Sequence, residues 1–288
     1  MFRSFLKLLL FMTMFAATEG FGANTDISAL YETKLAPAYE KLAPMQKKAS
    51  EKKSLYIVLA IAAVILFVLA VKFMQLRGAI VVIIFVAAAV AYLQKSEPVI
   101  SQYQKLFKER ILSVIAENTG DYRYKGDALS LHDLKQSRLF GPSVELFRSG
   151  DLYEKEGVRR FDDNIFDGIM IEIDHPNAEA GVMISRKLKD AVALQNLSMQ
   201  EFFADMRRSG EKGAFSPFGK VPDEAVEKAK AFSNLPIGVS FQKEKTYILL
   251  YTGDDPLSVD PARRFDLDQA RRYAETFETV HRLIETFR

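Results

Sequence analysis

The chain contains no cysteine and no tryptophan, and only three histidines in 288 residues. The missing thiols exclude disulfides, thiolate catalysis and cysteine-ligated metals, and leave the compartment unspecified. His132, His175 and His281 contain no pair at metal-ligand spacing such as HExxH, and each reads as a structural residue. Charge of one sign is also lacking. The net charge is +2 with acidic and basic residues interleaved beyond residue 100, so no electrostatic field points to nucleic acid. Arg159-Arg160, Arg207-Arg208, Arg263-Arg264 and Arg271-Arg272 read as solvated faces, and Tyr122-Arg-Tyr124 is too little for a nucleic-acid platform. A GxSxG elbow, a P-loop and a kinase motif set are all missing, so the sequence implies no cofactor.

What is present is long apolar sequence. Leu55 to Val71 and Ala79 to Leu93 contain no charged side chain and flank a short hinge carrying Lys72, Arg77 and Gly78. Runs without a polar face predict a two-helix transmembrane hairpin over 54–95, although each is short against the roughly 20 residues a span needs. Lys72, Arg77 and Lys95 are expected to hold their charges at the interface. Residues 1–23 resemble a signal peptide, with Arg3 and Lys7 ahead of an apolar Leu8 to Ala17, but no good cleavage site follows. The alternative is an over-long start, with Met12 or Met14 as initiator.

Residues 24–53 read as an amphipathic juxtamembrane segment, with Leu30, Leu35, Tyr39 and Leu42 as its stripe and Pro37 and Pro44 as breaks. Lys47, Lys48, Lys52 and Lys53 form a membrane-surface group, each lysine contributing about 1 kcal/mol near an anionic leaflet. The positive-inside rule then places both flanks in the cytoplasm. The expectation is a multi-pass protein of the plasma (inner) membrane, with the lipid bilayer as partner and a cytoplasmic C-terminal domain. An export signal at residues 1–23 would reverse that topology.

Residues 100–288 predict a soluble α+β domain with antiparallel strands. Tyr103, Leu106, Phe107, Ile111, Val114 and Ile115 recur at helical spacing, and a second helix is expected from Ser130 through Leu139. Strands are expected at Leu152 to Val158, Gly168 to Asp174, Gly181 to Ser185, Ile237 to Phe241 and Thr246 to Tyr251. The segment His175 to Ala180 reads as the turn of a hairpin, and Gly210 to Gly219 as a mobile loop. Ser198 with Glu201 opens one helix, and Pro222 starts another that runs through Phe232. Asp266 with Gln269 caps the last helix, whose stripe is Leu267, Ala270, Ala274, Phe277, Val280, His281 and Ile284.

Several of these stretches carry a family likeness. Leu30-Tyr-Glu-Thr-Lys-Leu-Ala-Pro37 precedes the apolar runs, and Tyr103-Gln-Lys-Leu-Phe-Lys108 with Ile111 and Val114 follows them. Leu129-Ser, Ser137-Arg-Leu-Phe140, Tyr153 with the Asp163 to Gly168 turn, Ile237-Gly-Val-Ser-Phe241 and Thr246-Tyr-Ile-Leu-Leu250 come next. In these features the chain resembles the bacterial membrane proteins grouped under domain of unknown function 3137, over most of residues 28–288. The resemblance implies an integral membrane protein with a cytoplasmic C-terminal domain and no established biochemical role. The chain departs from the pattern in its signal-like start and in a shorter section over residues 185–220.

The best cluster for chemistry is Asp162, Asp163, Asp167, Glu172, Asp174 and His175. On a strand, Glu172 and Asp174 share the face opposite Ile169, Ile171 and Ile173, with His175 at the following turn. A hard cation is one use of that face and a wet strand surface is the other; one strand cannot supply a full coordination shell. The functional expectation is therefore a membrane-anchored, non-enzymatic module that binds a protein partner or the membrane surface. The alternative is a metal-assisted hydrolase using Glu172, Asp174 and His175.

Overall fold

The computed structural model describes residues 26–73, 98–125, 136–139, 149–155, 158–163, 168–188, 215–253 and 255–288. They form two compact units: Asp26–Val114 with Ser258–Arg271, and Ile115–Leu257 with Arg272–Arg288.

The first unit is helical. Asp26 caps its start, the carboxylate accepting from the amides of Ser28 (3.0 Å) and Ala29 (3.2 Å). Helix Ile27–Leu30 runs through a π-helical turn, Tyr31–Leu35, into Ala36–Glu40, and α1 (Ala43–Phe73) follows. The π turn explains the five-residue step from Leu30 to Leu35. It holds one residue more than an α turn, so Leu30, Leu35, Tyr39 and Leu42 are all buried on one side. Pro44 sits in the first turn of α1, where the missing N–H has no intrahelical partner to lose, so it begins that helix, whereas Pro37 follows the π turn within a continuous helical run and does not break it.

Residues 98–107 are helical and pass through a second π turn, Lys108–Leu112, into α2 (Ser113–Gly120). The extra residue offsets the drift of a four-residue repeat, and Tyr103, Phe107 and Ile111 are buried. Phe265 sits among three rings, with centroids 5.7 Å from Tyr31, 5.4 Å from Tyr39 and 5.2 Å from Phe107.

The transmembrane hairpin is not found. Among the described residues no helix is long and apolar enough to cross a membrane. Leu55 to Val71 lies in α1, whose opening turns carry Lys47, Lys48, Glu51, Lys52 and Lys53, and its uninterrupted apolar part falls short of the roughly 20 residues of a span. The second run, Ala79 to Leu93, lies outside the described residues. The expected multi-pass architecture, its inner-membrane location and the topology drawn from flanking lysines are corrected accordingly.

The second unit is α+β, as expected, and its sheet is antiparallel throughout. Among the described residues eight strands lie in the order β1-β2-β3-β4-β8-β7-β5-β6. They are β1 (Arg123–Tyr124), β2 (Ser149–Lys155), β3 (Val158–Asp163), β4 (Gly168–Asp174), β5 (Gly181–Ser185), β6 (Phe215–Gly219), β7 (Ile237–Phe241) and β8 (Lys245–Tyr251). Two strands, β2 and β3, replace the single one expected at Leu152 to Val158. Part of the expected Gly210 to Gly219 loop is the edge strand β6. Pro217 masks it in the sequence, because a residue without an N–H is tolerated only at such an edge.

β4 and β5 do not pair with each other, contrary to the hairpin expectation; the β7–β8 hairpin lies between them. The connection 175–180 instead crosses the tip of that hairpin, where His175 N donates to Glu244 O (3.1 Å) and Asn177 N to Lys243 O (3.0 Å).

The register assigns side chains to faces. Ile169, Ile171, Ile173, Ile248 and Val239 share the first face, and Met170, Glu172, Leu249, Tyr247 and Ser240 the second. α4 (Leu267–Phe287) covers the first face, with Phe277 against Tyr153 (5.2 Å, edge to face) and Phe287 against Phe241 (6.4 Å). On the second face, Gly238 leaves room for Leu188 and Leu139, whose Cδ2 atoms lie 3.2 and 3.3 Å from where its Cβ would be. α3 (Asp223–Ala229) starts after Pro222 and ends in a 3₁₀ turn at Phe232, as predicted. The expected Ser198 helix and the start of the Ser130 helix lie outside the described residues.

Candidate functional site

Two places follow from the residues singled out in the sequence: the acidic end of β4 and the apolar half of α1. Glu172 is almost fully buried, at 2% exposure, and its Oε1 accepts from Lys245 Nζ at 2.7 Å. The wet strand face expected from alternation is thus a covered one, and the carboxylate is engaged by a lysine diagonal to it across β4 and β8.

Asp174 is exposed at the strand end, and His175 is half-buried where the chain leaves the sheet. Asp162 and Asp163 lie opposite Ile169 and Gly168, at the other end of β4 from Asp174, and Asp167 is outside the described residues. The structure therefore places Asp162 and Asp163 at one end of β4 and Asp174 and His175 at the other. Among the described residues no group of three His, Cys, Asp or Glu side chains could hold a metal ion.

Asn177 was missed as a singled-out residue. Its Nδ2 lies within hydrogen-bond distance of His175 O (3.0 Å), Gln242 O (2.7 Å), Lys245 O (3.2 Å) and Thr246 Oγ1 (3.2 Å). The two hydrogens of one amide serve these acceptors and staple the crossover to the hairpin tip. An Asn in a short polar link is the only local signal, and it does not name partners about 65 residues away in the chain.

The four lysines expected at a membrane surface differ in their surroundings. Lys47 and Lys48 are exposed, Lys52 and Lys53 are half-buried, and Lys53 pairs with Asp260 at 2.8 Å. Asp260 belongs to the segment 258–266, whose carbonyls are served by side chains: Gln46 Nε2 donates to Pro261 O (3.2 Å) and Arg263 O (2.9 Å), and Gln104 Nε2 to Val259 O (3.0 Å). Burial pushes the Asp260 carboxyl up, but Lys53, the Ala262 N–H and Arg263 together hold it below its ordinary range.

Past Lys53 the character of α1 changes. Leu55, Ile57, Val58, Ile61, Val64, Ile65 and Val68 are large apolar side chains between 41% and 64% exposed. Ile57, Ile61, Val64 and Val68 follow one another at steps of four, three and four residues, the spacing of a seam that receives a second helix. Scattered exposed apolar residues need no explanation, whereas a contiguous stripe marks an interaction surface.

The chain matches no family model, no curated protein and no solved structure.

Proposed function

We propose that this chain is a non-enzymatic binding module that engages a protein partner through the exposed apolar stripe of α1. The observation that carries the reading is the contiguous exposure of Ile57, Ile61, Val64, Ile65 and Val68 on a helix whose preceding turns are anchored by Gln46 and Lys53. Covering a half-exposed side chain of this size contributes about 1 kcal/mol, so the stripe supplies enough gross driving force for a helix to dock. The placement of the described acidic residues favours the same reading: Glu172 is engaged by Lys245, and Asp162 and Asp163 lie at the opposite end of β4 from Asp174.

The test is site-specific photo-crosslinking from position 64 of the full-length chain in its native cells. A discrete protein adduct is expected, lost in Ile61→Asp while the melting temperature of the purified chain is unchanged. Adducts to lipid alone, or none above background, would overturn the reading.

A further inference from the structure

We draw no further inference here: the strongest candidate, the Ile57-Ile61-Val64-Val68 seam of α1 as the docking face for one specified occupant such as a second copy of this chain, carries nothing beyond the site already described because nothing in the structure shows what covers it.

Discussion

Lys245 Nζ donates to Glu172 Oε1 at 2.7 Å across neighbouring strands, joining a side chain that keeps 28% of its surface in solvent to one that keeps 2%. The lysine is partly hydrated while the carboxylate is enclosed, so the two ends of the pair have different costs of removal. Lys245→Met is expected to destabilise the chain by about 1–3 kcal/mol, less than the roughly 3–5 kcal/mol for a fully buried pair because Lys245 is partly hydrated. Glu172→Met combined with Lys245→Met should recover most of that loss. Urea denaturation of the single and double variants measures both. Equal losses in the single and double variants would show that the pair is not coupled.

Phe277 is fully buried on α4, edge to face with Tyr153 and stacked on Tyr122 at 6.5 Å. Phe277→Ala removes the ring that joins the last helix to the sheet and should cost about 3–5 kcal/mol. Thermal melting of the full chain reads this directly, and an unchanged melting temperature would make the helix peripheral.

The 175–180 crossover rests on Asn177, whose amide holds carbonyls on both sides of the β7–β8 turn. Asn177→Ala should cost about 1–3 kcal/mol, since carbonyls it serves lose their donor. Hydrogen exchange should rise locally at the amides of His175 and Gln242, which donate within the same turn region. Faster exchange spread evenly over the sheet would contradict a local staple.

Asp260 and Glu278 should respond to pH with opposite signs. The Asp260 carboxyl is lower in the folded chain, so its contribution is present above the ordinary carboxylate range and is lost as pH falls through the lowered value. Lys53→Met should flatten that acid limb, by no more than about 0.5 kcal/mol for so exposed a pair. Burial, with Glu275 adding to it against Arg282, holds the Glu278 carboxyl above its ordinary range. Its charged form therefore disfavours the fold, and stability rises as pH falls through the raised value. Glu278→Gln should stabilise the chain slightly at neutral pH and remove that rise, as melting curves between acid and neutral pH can show.

The last helix and most of the central strands were legible because their signals are local. Asp266 with Gln269 predicts a helix start, and Gln269 N does donate to Asp266 Oδ1 at 2.8 Å. The predicted stripe of α4 is Leu267, Ala270, Ala274, Phe277, Val280, His281 and Ile284; five of these are buried, while Leu267 and His281 are half-buried. Alternation likewise located β4, β5, β7 and β8.

Pairing was not legible in the same way. Alternation states which residues share a face, but any two such strands can pair, so only tertiary structure decided that β7–β8 lies between β4 and β5. The fate of Glu172 follows from the same limit. Its place opposite the isoleucines was written in the alternation, whereas its burial depends on what covers the second face, to which Leu139 and Leu188, distant in sequence, contribute.

For α1 the sequence determined an uncharged run from Leu55 to Val71, and hydropathy treats such a run as membrane-like wherever it stands. The tertiary structure decided that it continues a helix begun at Ala43 and anchored through Gln46 and Lys53 to the segment 258–266. Hydropathy sums transfer free energies residue by residue, whereas the course of a helix depends on contacts made by residues outside the run; that is why the two diverge at Lys53.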